Sequence, residues 1–335
     1  MIGLVLRRLF QLPLVLLAVY TLTLALAWAV PGNPLDKPDA RRLPPAVVEA
    51  AKRQYNLDSF WDFYWSYLDR SSGVRYVRES ISGEAAARAS RALAAGLPEP
   101  TRHVFDLGPS LQYEDRSVNE ILADSLPVSL TLGASAITIA TILGVFAGVL
   151  GAARPGSSAD AAAMGLALVG VSLPSFVTGT ALLMVFGVWL NWLPVGGWGT
   201  LSQLVLPAIT LSLPFAAYIA RLTRMGMIEQ LSSDYVRTAR AKGLPERTVL
   251  LKHALKNALL PVVSYLGPAA AYAATGSFVV ERVFRVPGLG EHFVNSILNK
   301  DLFLIIGTVL TFSALLVVMN LLVDVLYRWI DPRTA

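Results

Sequence analysis

Cysteine is missing altogether, which removes disulfides, Cys-ligated zinc, iron–sulfur clusters and thiol catalysis from consideration. Histidine is nearly missing: only His103, His253 and His292 occur. By the topology argued below, His103 falls in the long outer segment, His253 in a cytoplasmic loop and His292 in the last outer loop, so no metal-ligand cluster is expected, and with none at intramembrane depth intramembrane hydrolysis lacks a visible base. The patterns G-x-x-x-x-G-K-[ST], H-E-x-x-H and G-x-S-x-G are also absent, so the chain has neither a P-loop for nucleotide phosphates nor a recognisable hydrolytic site. Charge is scarce as well. Asp, Glu, Lys and Arg make up 15% of the 335 residues, hydrophobic residues make up 54%, and the mean hydropathy is +0.55. Those values exclude an ordinary soluble domain and indicate a membrane protein.

A bilayer core of about 30 Å asks for roughly 20 mostly apolar residues per helix. Six runs qualify: 9–30, 125–153, 161–190, 204–219, 258–280 and 303–327. The fold expected is therefore all-α and polytopic, with six transmembrane helices. Pro207 and Pro214 interrupt the fourth run, which neighbouring helices can tolerate by satisfying the freed backbone groups. The first run has one competing reading, a signal peptide, because Arg7 and Arg8 precede it and Ala25-Leu26-Ala27 mimics a cleavage site; its apolar stretch exceeds a usual h-region. With the N-terminus inside, Arg7, Arg8, Arg154, the Lys and Arg residues of 221–257, Arg328 and Arg333 all fall on the cytoplasmic side, whereas of the two short outer loops 191–203 holds neither Lys nor Arg and the other holds Arg282, Arg285 and Lys300. Lys and Arg in short loops stay disproportionately cytoplasmic, so both termini are expected there. The net charge of +5 is then mostly a topology signal, and no nucleic-acid partner is inferred.

Three parts follow: 1–30, an N-terminal tip with the first span; 31–124, an extracytoplasmic insertion; and 125–335, a five-helix core carrying the cytoplasmic loop 221–257. Within the insertion, Pro44-Pro45 opens a helix to Leu57, 83–95 is Ala-rich with Gly96 as its stop, and Ser117-Val118-Asn119-Glu120 has capping-box spacing. The stretch "SFWDFYWSYL" (59–68) reads either as a helix at the membrane surface or as the aromatic core of the insertion. Asp324 is the acid within an apolar run; an ion pair with Arg328 one turn on, or snorkelling, stands against a role in proton coupling. Gly144-x-x-x-Gly148 is read as a helix contact rather than as a dimer motif.

The stretch "DYVRTARAKGLPERTVLLKHALKNALLP" (234–261) is charged and lies between apolar runs. Asp234 suits an N-cap, Tyr235 to Lys242 are helix formers, and Gly243-Leu244-Pro245 reads as stop, turn and restart. Two short helices bent at Gly243 are expected to project into the cytoplasm. Taken alone, such a loop is also a topology anchor or a contact for lipid headgroups.

The order of residues in that stretch resembles the EAA-type loop of the membrane-spanning permeases of ATP-binding-cassette importers, in the dipeptide/oligopeptide/nickel branch. Further likenesses are "PGNP" (31–34), "LPSF" (173–176), "LPAITLSLPFAAYIARLTR" (206–224), "VFRVPGLG" (283–290) and "DPR" (331–333), so nearly the whole chain is covered. Arg237-Thr238-Ala239 stands where the wider class has E-A-A, with Gly243 four positions after Ala239. The resemblance implies a type I importer permease fold and a subunit that is not itself an enzyme, forming half of a translocation pathway for di- or oligopeptides. It implies no cofactor in this chain, with ATP and Mg on separate ATPases. It also implies a second homologous permease in a heterodimer, two ATPase subunits or domains, an extracytoplasmic binding protein, and a bacterial or archaeal cytoplasmic membrane. The coupling residues it marks are Asp234, Tyr235, Arg237, Ala239, Arg240, Lys242, Gly243 and His253. Ala239 and Gly243 are expected to let the helix sit deep against an ATPase, with Arg240 and Lys242 contacting its acidic groups. Ser172, Ser175, Thr178, Thr210 and Ser212, near proline-interrupted helices, are candidates for the pathway lining. The same family carries nickel, glutathione and oligosaccharides. A proton-coupled carrier and an intramembrane enzyme are the readings from other classes; the first would need buried titratable residues and the second a nucleophile–base pair.

Overall fold

A computed structural model describes residues 2–30, 45–94, 102–113, 116–275 and 277–330, and among these the chain is helical with no named strand. The motifs at 31–34 and 331–333, and the helix stop at Gly96, lie outside the described residues. Two compact units are present: Met1–Phe10, Leu126–Glu291 and Ala314–Ala335 form the first, and Gln11–Ser125 with His292–Ser313 form the second. By length and composition, four described helices suffice to cross a membrane: α1 (Ile2–Ala29), α6 (Val118–Ala153), α9 (Leu201–Leu231) and α16 (Leu302–Ile330). A bent pair, α7 (Ser158–Ser172) and α8 (Ser175–Leu182, continued as a π-helix over Leu183–Trp189), would make a fifth, and α13 (Leu260–Ala274) is a shorter apolar helix.

The third apolar run, 161–190, is bent and not one straight helix. The chain turns by 110° between α7 and α8. Leu173 leaves the helix at ψ 130° and Pro174 stays extended at φ −57°, ψ 142°, because a proline's ring crowds the residue before it out of the helical region. The fifth span is also shorter than expected. It stops at Ala274, after which Ser277 caps α14 (Phe278–Phe284) by accepting from the Val280 N–H at 3.3 Å. The fourth span, by contrast, runs unbroken through Pro207 and Pro214, and 61% of its most apolar stretch is buried against 12% for α1.

The first unit is built on close approaches along α6. A Cβ at Gly144 would lie 2.7 Å from the Ala216 carbonyl oxygen and 2.7 Å from the Ile219 side chain; one at Gly148 would lie 2.5 Å from Thr223. The GxxxG pair therefore seats α9 of the same chain, as an intramolecular helix contact. Gly133 meets the Ala273 carbonyl of α13 in the same way, at 2.5 Å. Asp324 is paired across the unit with Arg8, 2.8 Å away on α1; the pair expected with Arg328 rests on a side chain outside the described residues.

The VPGLG motif has a physical reason too. Glu281 on α14 is fully buried, and its carboxylate accepts from the Ser129 hydroxyl at 2.9 Å and from the Gly290 and Glu291 N–H groups at 2.8 and 3.2 Å. Burial pushes this carboxyl above the usual range, and those hydrogen bonds oppose the shift. Gly288 and Gly290 leave the space it occupies: a Cβ at either would come within 3 Å of it.

In the second unit α2 (Pro45–Tyr55), α3 (Phe60–Ser71), α4 (Val74–Ser82) and α5 (Glu84–Ala94) follow one another. The aromatic stretch forms α3, which buries one face and exposes the other. Phe63, Tyr64 and Tyr67 are buried, with Phe63 5.4 Å from the Phe303 ring and Tyr20 donating to the Tyr64 carbonyl at 2.8 Å, whereas Trp61 and Trp65 are exposed. The capping box at Ser117 and Glu120 forms, with bonds of 3.0 and 3.2 Å. The helix α4 had no counterpart in the sequence reading.

Two Gly→Ala changes with the same chemistry should differ in sign. Gly144→Ala forces α6 away from α9 and should cost about 1–3 kcal/mol. Gly165→Ala, where a Cβ meets nothing within 4 Å, should be neutral or stabilise α7 by up to about 1 kcal/mol. Thermal unfolding of the detergent-solubilised chain reads both.

Candidate functional site

The stretch after α9 folds into a helical hairpin. The helix ends at Leu231, Ser232 and Ser233 turn the chain, and α10 (Asp234–Ala241) begins. The N-cap is Ser233 and not Asp234. Asp234 is the first helical residue, with its side chain 97% exposed, and its charge favours the positive helix start without a capping bond. At the far end Gly243 adopts φ +75°, a left-handed conformation that favours glycine, and its N–H donates to the Arg240 carbonyl at 2.9 Å. Pro245 then opens α11 (Glu246–Thr248), followed by a π-helix over Val249–Ala254 and α12 (Leu255–Ala258).

What fixes the hairpin is a small apolar core. Val236 and Ala239 of α10 are buried with Met227 of α9, Val249, Ala254 and Ala258 of the returning arm, and Ala152 at the end of α6. A Cβ at Gly226 would stand 2.6 Å from the Ala258 carbonyl, so the returning arm lies directly on α9. The Tyr235 phenol donates to the Gln230 side-chain oxygen at 2.7 Å and accepts from the Asn257 amide at 3.2 Å, tying the three pieces together.

That core fixes the surroundings of two of the marked residues. Ala239, 6% exposed, faces inward. The Arg240 guanidinium donates to both Glu246 oxygens, at 2.6 and 3.2 Å, so it braces the two arms across the Gly243 turn. Through these bonds it also holds the Glu246 carboxyl below the usual range. The exposed tip is the run 241–247, in which Lys242, Gly243, Leu244 and Arg247 are presented outward, with Arg237 and Tyr235 on its flank. His253 is half-buried in the π-helix. A Cβ at Gly243 would meet nothing within 4 Å, so that position is open as well as left-handed.

An ion pair that the sequence reading missed anchors the base of α9. Arg224 donates to both oxygens of buried Asp160, at 2.6 and 2.7 Å, and the Gly156 N–H adds a bond of 2.9 Å. The signal for it was an acid at the first turn of an apolar helix, in reach of an Arg only once α7 folds back on α9.

The five hydroxyl residues divide. Ser172 is exposed, and Ser175 and Thr178 are half-buried, at the α7–α8 bend. Thr210 and Ser212 are completely buried within α9's packing, and they donate to the Leu206 and Ile209 carbonyls at 2.8 and 2.7 Å. Among the described residues no group of three or more His, Asp or Glu side chains converges as for a metal ion.

With this geometry in place, comparison with known proteins is specific. Residues 140–335 match the family described as binding-protein-dependent transport system inner membrane component. The chain is 42% identical over 336 residues to the oligopeptide transport system permease protein OppB of Escherichia coli K12, with 99% of each chain covered. It is 37% identical over 327 residues to the dipeptide transport system permease protein DppB of Bacillus subtilis 168, with 98% of this chain and 96% of that one covered.

Inward and outward residues of the hairpin should respond differently to substitution. Ala239→Leu overfills the core around Met227 and should cost about 1–3 kcal/mol. Arg240→Ala removes an exposed pair and should cost no more than about 1 kcal/mol. Thermal unfolding of the purified chain separates the two; equal effects would contradict the inward placement of Ala239.

Proposed function

The chain belongs to the family of binding-protein-dependent transport system inner membrane components, and on that premise we propose that it is the permease subunit of an ATP-binding-cassette importer of peptides. Full-length likeness to both an oligopeptide and a dipeptide permease supports the substrate class. The observation that carries the mechanism is the hairpin: an exposed, basic tip built on a left-handed glycine and fixed to α9 by a small apolar core.

In this reading the tip faces the cytoplasm and seats in a groove of a separate ATPase subunit. Lys242 and Arg247 meet acidic groups there by charge-assisted hydrogen bonds. Closure of two ATPases on ATP displaces the tip, and because the core around Val236 and Ala239 leaves no slack, the displacement passes to α9 and to the α6 end at Ala152. This chain supplies half of the passage, a second homologous permease supplies the other half, and an extracytoplasmic binding protein delivers the peptide. Ser172, Ser175 and Thr178, at a bend where the backbone leaves the helix, are the hydroxyl residues of this chain best placed to line the passage. ATP hydrolysis, with its Mg, belongs to the partner ATPases.

Replacing Gly243 tests this directly. Gly243→Val puts a β-branched residue at a left-handed φ and fills the open tip, at a local cost of about 1–2 kcal/mol. The chain should still insert and assemble with its partner permease, while ATP-driven peptide uptake in proteoliposomes falls at least tenfold and ATPase co-purification weakens. Undiminished uptake would refute the coupling role.

A further inference from the structure

Exposed surface in the first unit is of two kinds. Over 142–150 of α6 and 161–171 of α7 the exposed side chains, among them Ile142, Phe146, Leu150, Leu166 and Leu168, carry no polar atom and suit lipid tails. The open face of α9 and α13 is different. Along α9, Tyr218, Arg221 and Met225 are exposed at positions i, i+3 and i+7. Along α13, Pro261, Pro268 and Tyr272 are exposed and Tyr265 is half-buried, all on one helical stripe.

The two stripes meet ring to ring. The Tyr218 and Tyr265 ring centroids lie 4.4 Å apart, and Tyr272 stands edge-on to buried Phe215 at 6.2 Å. Tyr218 and Tyr272 are thus braced on one side and open on the other, 45% and 67% exposed. Against hydrocarbon an open phenol hydroxyl would find no partner. Tyr265 and Tyr272 are also two turns apart, about 10 Å along the axis, so one interfacial belt of aromatics does not account for both. Nor is the face built like the helix contacts of this unit, which bring Gly133, Gly144 and Gly148 against bare backbone or small side chains. The environment that suits bulky, open phenols at these depths is a water-filled passage.

We infer that Tyr218, Tyr265 and Tyr272 form a track that the peptide touches in transit, in addition to the serine and threonine hydroxyls of the α7–α8 bend. A phenol hydroxyl both donates and accepts, so it meets a backbone N–H or C=O whatever the peptide sequence, and the ring takes an apolar side chain. The roughly 10 Å between Tyr265 and Tyr272 matches about three residues of extended peptide. Because the track rests on the importer reading, its test separates the two.

The chain has no cysteine, so single thiols in it report access to water. In the assembled transporter in lipid nanodiscs, Tyr218→Cys, Tyr272→Cys and the lipid-side control Phe146→Cys are treated with the cationic thiosulfonate MTSET, and modification of this chain is followed by mass. In the faster of the nucleotide-free and ATP-bound states, both tyrosine positions should react roughly tenfold or more faster than Phe146→Cys, which hydrocarbon shields from a cation. Saturating trialanine should slow both several-fold, and sucrose should not. In proteoliposomes Tyr272→Ala should lower ATP-driven trialanine uptake several-fold and Tyr272→Phe less, with ATPase co-purification unchanged. The track is overturned if the wild type imports trialanine while both thiols react as slowly as Phe146→Cys, the result expected where lipid or the second permease covers the face. It is equally overturned if trialanine gives no protection or if sucrose protects as well. Thiols that react and are protected by trialanine, in a transporter whose wild type shows no ATP-driven uptake, would instead sustain the track and overturn the importer reading.

Discussion

Small side chains packed against backbone are the constraint on which the rest of the first unit depends. Along α6, Gly133, Gly144 and Gly148 let α13 and α9 come to within contact of the bare helix; at the far end of α9, Gly226 admits the Ala258 carbonyl, and Val236 and Ala239 close over Met227. In a membrane, hydrophobicity gives helices no reason to prefer one another to lipid, so association rests on close van der Waals packing of this kind. The same packing makes the hairpin an extension of α9 instead of a loose loop, and a lever has to be stiff to work.

Buried polar groups then fix the places where the helices break. Asp160 and Arg224 pin the start of α7 to α9, and Glu281 gathers Ser129, Gly290 and Glu291 where α14 gives way to the next helix, Leu289–Leu298. In the second unit Asp301 does the same for α16. Its carboxylate accepts from the Ser110 hydroxyl at 2.5 Å, from the Leu111 N–H at 3.0 Å and from the Leu304 N–H at 3.1 Å, and burial raises its carboxyl above the usual range. Each of these acids trades hydration for several donors, the only terms on which a buried carboxylate is stable. A proton-coupled carrier would need titratable groups poised along a path; these are spent on holding turns.

What was legible in the sequence was local. Apolar runs marked the long helices, Gly243-Leu244-Pro245 marked the hairpin turn, and Ser117 with Glu120 marked a helix start, because each depends on residues a few positions apart. Leu173-Pro174 was legible in principle, yet hydropathy over 161–190 concealed it: a window that averages apolarity cannot see a bend. The Arg8 pair of Asp324 and the Arg224 pair of Asp160 were not legible, since those arginines approach only after distant helices pack, and the burial of Ala239 needs the returning arm that covers it. The π-helix at Val249–Ala254 has no simple sequence pattern, and α4 escaped because its charged face and apolar face average to neither a span nor a loop.

The central claim is that the hairpin tip and α9 move as one body. The absence of cysteine makes the most direct measurement clean: spin labels at Lys242→Cys on the tip and Met225→Cys on the exposed side of α9, with their separation read by double electron–electron resonance in the assembled transporter. The account predicts one narrow distance distribution, the same without nucleotide and with ATP bound. A shift of several ångströms between the two states, or a broad distribution in either, would contradict it.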